Sequence, residues 1–295
     1  MLWVGGGQGA GKTILSWHLS RTNDLPLHPV DLWTYDHQAR LPAGDSLDEQ
    51  ITRGSDAAAD AFESVSRLRL GLVLEDILAR DLGKVPAIVE GPQLMPGFAD
   101  QLLPGWGVWL LPDPARTRLM REERLAREES LAGRPATGRS RIHRVLERDA
   151  LIAERMRASA VLSGRPVIEV PPLPDWPMIA AAVESTLVPA LRSAPRLAPG
   201  DELSRQRRYE NMAADRQGRL WMRDAGLTAM PCYPFGCECG QSGCRVTWLA
   251  TPDDYAARTA SGRPLIAHDA PAETTPAHDS LRNVQGSSDF TRTEG

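Results

Sequence analysis

The sequence predicts an α/β fold, a doubly wound parallel sheet flanked by helices, followed by a small metal-stabilised α+β module. Three observations predict it. Apolar strand-like runs alternate with helix-length segments through residues 1–192. The first such run, in LWVGGGQGAGKTIL (Leu2 to Leu15), breaks into a glycine loop that opens directly onto a helix. The four cysteines, Cys232, Cys237, Cys239 and Cys244, all fall within one short segment, the mark of a local site rather than of a framework spread through the chain.

Leu2 to Val4 reads as a short strand, and the helix after the loop runs from about Lys12 to Arg21. LHPVDLWTYDH supplies a second extended segment, ending in Asp36 and His37. A long amphipathic helix is expected from about Asp56 to Asp81, where Phe62, Val65, Leu68, Leu72 and Leu78 recur near helical spacing. VPAIVEGP gives a buried strand from Val85 to Val89 that ends in Glu90 and Gly91, and GVWLLPDP repeats the pattern with Asp113 at its end. Helices follow from Ala115 to Ser130 and from about Ile142 to Ser163, separated by LAGRPATGRSR. RPVIEVPP is another strand, and a helix from about Trp176 to Leu191 closes the unit. Strands alternating with helices imply a parallel sheet.

RSAPRLAPGDE combines prolines with glycine and marks a boundary. The expected organisation is one domain over 1–192, a linker over 193–200, a Cys-rich module over 201–270 and a disordered tail over 271–295. The module starts with a polar helix from about Asp201 to Asp224, and TPDDYAARTA after the cysteines reads as a short helix with Pro252 in its first turn. The tail lacks apolar periodicity.

A chain of 295 residues accommodates two such units. Its 42% hydrophobic and 24% charged content is ordinary for a globular protein, and its net charge of -4 argues against a general nucleic-acid or membrane-surface binder. No apolar run approaches the roughly 18 residues of a bilayer span, and no basic segment with an apolar stretch and cleavage site opens the chain. The expectation is a cytoplasmic protein, where clustered cysteines suggest a metal rather than disulfides.

Gly6-Gly7-Gln8-Gly9-Ala10-Gly11-Lys12-Thr13 matches G-x-x-x-x-G-K-[ST] in full, between a strand and a helix as the motif requires. The glycines let successive backbone N–H groups face an anion, and the helix N-terminus adds positive potential. Lys12 reaches β- and γ-phosphates and Thr13 can ligate Mg²⁺. The alternative is a tight glycine turn that binds nothing.

On these residues the chain resembles the P-loop small-molecule kinases, the group of nucleoside, shikimate and adenylate kinases and antibiotic phosphotransferases. The resemblance covers about Met1 to Leu191. It implies ATP and Mg²⁺, a carboxylate ending the second strand that contacts an acceptor hydroxyl, an acidic residue ending the third, and arginines in a mobile lid. Asp36, Glu90 and GRPATGRSR match those places. Asp36 is then a group that takes the acceptor's proton, with Arg40 binding an anionic part of the substrate; the alternative is that Asp36 caps a helix and Arg40 is a surface charge. His37 is read as structural. Glu90 stands where the group usually has aspartate, and Asp113 competes with it, although Asp-Pro also suits a helix start. Arg116, Arg118, Arg121, Arg124 and Arg127 mix with glutamates at i,i+4 spacing and read as a solvated face. Arg134, Arg139, Arg141 and Arg144 have no acid after them until Glu147 and suit a cationic lid, or else a plain basic loop.

Cys237-x-Cys239 followed by Cys244 has the compact spacing of thiolates on one tetrahedral ion. FGCECGQSGCRVTWLATPDDYAARTASGRPLIAHDA resembles a small Cys-rich module of many bacterial proteins, in which C-E-C-x-x-x-x-C precedes a strand, a Thr-x-x-x-Tyr helix and a histidine. The resemblance implies Zn²⁺ with His268 as fourth ligand; Cys232 is the alternative, and free thiols packed as small hydrophobes are the reading without metal. Together the motifs lead to the expectation of ATP-dependent phosphoryl transfer to a small metabolite. A nucleotide-dependent sensor or regulatory ATPase, whose zinc module binds a protein partner, is the competing expectation.

Overall fold

The computed structural model describes residues 1–80, 82–98, 105–136 and 138–269. The period of two along β1 (Leu2–Gly6) sends Leu2 and Val4 to one face of a sheet and Trp3 to the other. Both faces are apolar, as a strand covered on two sides requires. After β1 come α1 (Lys12–Asn23), β2 (Leu27–Pro29), α2 (Thr34–Arg40), α3 (Leu47–Thr52) and α4 (Ser55–Leu78). The sheet is completed by β3 (Ile88–Glu90), β4 (Trp106–Pro112) and β5 (Val167–Val170), with α5 (Pro114–Ala132) and α6 (Ile142–Ser163) between the last two and α7 (Trp176–Ser193) after them. Among the described residues the sheet has five strands in the order β2-β3-β1-β4-β5, all parallel. Leu15 and Leu19 of α1 and Val183 and Leu187 of α7 cover one face. Leu70 and Val73 of α4, with Ile152 and Met156 of α6, lie in the clusters of the other.

The chain leaves β2 earlier than the sequence suggests. Pro29 ends the strand, Val30–Trp33 forms a 3₁₀ turn, and Asp36 lies inside α2. The carboxylate nearest the end of the second strand is therefore Asp31, two residues beyond it in the 3₁₀ turn, and the expected extended run to Asp36 is corrected. Proline carries no N–H to continue a ladder, which explains the early exit. The apolar stripe expected on the long helix is also corrected, because Val65, Leu68 and Leu78 are exposed. Helix α4 instead buries Ala58, Ala59, Ser66, Leu70, Val73 and Ile77, and the small residues among them let it approach its neighbours closely.

Beyond the proline-containing connection lie α8 (Asp201–Asp224), a β6 (Tyr233–Gly236) and β7 (Thr247–Ala250) antiparallel pair, and α9 (Pro252–Thr259). Phe235 and Tyr255 stack at 4.4 Å between ring centroids in a core that includes Trp221 and Leu265. Helix α8 is polar and yet buried, because its Gln206, Arg207 and Glu210 pack against the α/β unit. Glu210 pairs with Arg21 of α1 at 2.9 Å and accepts from the Leu27 backbone N–H at 3.1 Å. Arg207 donates to Ser20 Oγ at 2.9 Å. Tyr209 stacks on Trp33 at 5.5 Å. The tail expected from 271 onward lies outside the described residues.

Candidate functional site

Strand β1 lies at the centre of the sheet and its neighbours are reached by crossovers to opposite sides, which opens a crevice at the carboxyl ends of the strands. The glycine loop fills that place. Gly11, at φ 79, opens α1 in the left-handed region, and a Cβ there would sit 2.3 Å from the Trp176 ring. Both the conformation and the space demand glycine. Lys12 is buried, and its Nζ donates to the Gly7 carbonyl at 2.8 Å.

Thr13 Oγ1 donates to Glu90 Oε1 at 3.0 Å, joining the first turn of α1 to the end of β3. Glu90 is fully buried, and its Oε2 has no hydrogen-bond partner among the described residues. Burial, then the nearby Asp31 carboxylate, push the Glu90 carboxyl up to about 7, against the pull of Lys12 and the Thr13 hydroxyl. Asp31 is buried, and its Oδ1 accepts from Gln93 Nε2 at 3.1 Å. Lys12, Thr13, Glu90 and Asp31 thus form one polar group in the crevice. Asp113 stands apart as the N-cap of α5, accepting from the Ala115 N–H at 2.8 Å.

Asp36 faces α8 and pairs with Arg216. Burial raises its pKa although Arg216 opposes the shift. Arg40 is held by Asp76 and Glu75, each at 2.6 Å. His37 is structural: Arg69 Nε donates to its Nδ1 at 3.3 Å, so its Nε2–H donates to Asp76 at 2.8 Å. Burial holds that ring neutral, with a pKa lowered to about 4.

One expectation about arginines is corrected. Arg116 and Arg121, assigned by spacing to a solvated face, are buried. Arg116 Nε donates to the Gly9 carbonyl at 2.8 Å and its guanidinium lies over Trp176 at 4.9 Å. Thr117 Oγ1 of α5 donates to the Gln8 carbonyl at 3.3 Å. Arg121, one turn further along α5, meets Asp149 at 2.7 Å, and Arg148 reaches the other oxygen of that carboxylate at 2.8 Å. The arginines of the connection after α5 meet one acid just before it, one far off in sequence, and a backbone carbonyl. Arg139 forms a paired contact with Glu129 at 2.5 Å, Arg141 meets Asp48 at 2.5 Å, and Arg134 donates to the Ala225 carbonyl at 3.2 Å.

The second cluster is made by Cys237, Cys239, Cys244 and His268, whose ligand atoms all lie within 4.8 Å of one another. His268 Nε2 is 3.4 Å from Cys244 Sγ and 3.8 Å from Cys239 Sγ. Three thiols and an imidazole at this separation could hold a tetrahedral ion such as Zn²⁺. Cys232 is exposed and outside the cluster. Between the first two cysteines, Glu238 is wholly buried and accepts from Asn211 at 2.8 Å, Tyr255 at 2.9 Å, Arg208 at 3.1 Å and the Leu265 N–H at 3.0 Å. That carboxylate ties the cysteine segment to α8 and α9.

No protein-family model and no curated protein matches the chain. The site therefore speaks through its own chemistry. Among the described residues no helix is long and apolar enough to cross a membrane.

Sequence reasoning missed Asp31, Arg116, Arg121, Arg148 and Glu238. For Asp31 a signal existed in Pro29, which stops the strand two residues before it. For Glu238 it lay in the C-E-C spacing itself. The arginines carried none, because burial of a charge on a charged helix is decided by distant partners.

Proposed function

We propose that the chain is an ATP-dependent phosphotransferase of the P-loop small-molecule kinase type, acting on a hydroxyl of a small metabolite. The observation that carries this reading is the Thr13–Glu90 hydrogen bond beside Lys12 and Asp31, buried at the carboxyl ends of the central strands. The strand order and the glycine loop at its switch point support it.

In this reading the backbone N–H groups of Gly9, Gly11, Lys12 and Thr13 would cradle the β- and γ-phosphates, while the Gly7 N–H stays on the Leu110 carbonyl, and Lys12 would leave the Gly7 carbonyl to meet the phosphates. Thr13 and Glu90 would hold Mg²⁺ directly or through water, the unpartnered Glu90 Oε2 being the available acceptor. Magnesium, when bound, offsets negative charge on the phosphate oxygens. Asp31 orients the acceptor hydroxyl and takes its proton as the oxygen attacks the γ-phosphorus and the bond to the ADP oxygen breaks. Arg121 and Arg148 share one carboxylate. The trio keeps a net positive charge that can stabilise the transferring group, with Arg116 beside the loop. Asp36, Arg134 and Arg139 hold surrounding elements instead.

The Cys237, Cys239, Cys244 and His268 set would supply all four ligands of a tetrahedral Zn²⁺, which would make the bound metal structural. A screen of hydroxylated metabolites for stimulated ADP release tests the reading. Turnover with one acceptor class supports it, and slow release indifferent to every acceptor but raised by a protein partner would favour the sensor.

A further inference from the structure

Helix α1 carries the phosphate loop at one end. Its other end is gripped by the metal-ligand segment, through two contacts that the phosphotransfer reading does not use. The first is Asp24, the C-cap of α1, a buried non-glycine residue at φ 50. Its Oδ1 accepts from the Gly243 N–H at 3.0 Å, and its other oxygen accepts from the Ser242 hydroxyl. Both donors lie in the turn between the ligands Cys239 and Cys244. The second contact is made by Gly236, next to the ligand Cys237, where a Cβ would come within 2.5 Å of Arg21 Nη2 in the last turn of α1. Further along the same turn, the Gly240 carbonyl accepts from the Gly200 N–H at 2.8 Å, while the Leu197 N–H donates to the Asp24 carbonyl at 3.0 Å.

The turn from Gly240 to Gly243 is polar and glycine-rich, so it has little apolar surface with which to hold one conformation. Coordination of Cys239 and Cys244 by one ion would close it as a rigid loop. We infer that metal bound at Cys237, Cys239, Cys244 and His268 tightens nucleotide binding at the phosphate loop, with Asp24 as the positioning residue that joins the two sites. With metal bound, the turn presents its N–H and hydroxyl to Asp24 and fixes the C-terminal end of α1. Without metal, the turn loosens, Asp24 loses both donors, and the helix that presents Gly11, Lys12 and Thr13 is no longer held at its far end. The two states differ in the contacts of α1, and thermodynamic linkage makes the coupling reciprocal: nucleotide must tighten metal binding by the same factor.

The inference rests on nucleotide binding at the loop, and the test separates the two. Mg-ATP is titrated calorimetrically into the full chain, zinc-loaded and chelator-stripped, for the unsubstituted protein, Asp24→Gly and Asp24→Asn. Glycine accepts the positive φ without strain and removes the carboxylate; asparagine also tolerates that conformation and keeps an acceptor. Stripping is expected to weaken ATP binding at least about five-fold in the unsubstituted protein. Asp24→Gly is expected to bind zinc yet to show weakened ATP binding that no longer responds to it, and Asp24→Asn to restore the response. Zinc transfer to a chromophoric chelator, measured on the unsubstituted protein, is expected to show tighter zinc retention in the presence of ATP. Equal ATP affinity with and without zinc, or a zinc response that survives in Asp24→Gly, overturns the coupling while leaving the phosphate loop intact. Absence of ATP binding in every form overturns the loop assignment itself.

Discussion

Glu210 offers the sharpest test of how α8 is joined to the sheet. Its carboxylate receives Arg21 Nη2 at 2.9 Å, Arg207 Nη1 at 3.1 Å, Gln206 Nε2 at 2.6 Å and the Leu27 N–H at 3.1 Å. All three charged side chains are buried, and Arg21 Nη1 already lacks a partner among the described residues. Glu210→Ala would leave two guanidinium groups buried without their shared counter-charge. Breaking a buried pair from one side costs about 3–5 kcal/mol. At about 2–4 °C per kcal/mol for chains of this size, the expected fall in Tm is about 6–20 °C. Glu210→Gln keeps an acceptor for Leu27 and should fall between the two. Calorimetry and urea unfolding measure both variants. A loss under about 1 kcal/mol, or a loss confined to a separate C-terminal transition, would refute the reasoning and restore the independent units that the prolines near 195 and 199 suggest.

Other substitutions address the two clusters. Lys12→Ala should abolish tight ATP binding with the fold retained, as read by calorimetry and circular dichroism; unchanged affinity would remove the phosphate loop from the account. Asp31→Asn should keep nucleotide binding and lower phosphoryl transfer by about 10²-fold or more, while Asp36→Asn should leave transfer within a few-fold; the reverse pattern would return the role to Asp36. Glu90 holds its proton more tightly folded than unfolded. Its contribution to stability is complete below about pH 4.5 and is lost as pH rises through about 7, so Glu90→Gln should erase about 1–3 kcal/mol of pH-dependent destabilisation between those limits. Urea midpoints at pH 5 and pH 8 measure it, and identical slopes for both proteins would count against the burial argument. Purified protein should carry one zinc per chain, lost more readily in His268→Ala but not in Cys232→Ser; elemental analysis showing the opposite would give the fourth position to Cys232.

The glycine motif from Gly6 to Thr13 was legible because its residues are contiguous, and the structure places it between β1 and α1 as the sequence pattern expects. The Cys237, Cys239 and Cys244 spacing pointed to a convergent site for the same reason, and the structure brings His268 to it from beyond α9. What stayed hidden depends on pairing across long separations. Arg121 looks like its solvated neighbours until Asp149 is placed opposite it, and the polar sequence of α8 conceals a buried face because its charges are met by Arg21 and by the backbone of β2. Asp31 and Asp36 differ only in where the strand stops, a boundary of a few residues that periodicity alone does not fix.

The central claim, transfer of the γ-phosphoryl group to an acceptor hydroxyl, is tested most directly by following labelled phosphate. Protein is mixed with γ-labelled ATP, Mg²⁺ and a pool of hydroxylated metabolites, and the label is traced by phosphorus NMR and mass spectrometry. The account predicts a new phosphate monoester of one acceptor class, formed by the unsubstituted protein and lost in Lys12→Ala and Asp31→Asn. Label found only in inorganic phosphate, at a rate no acceptor changes, would contradict it.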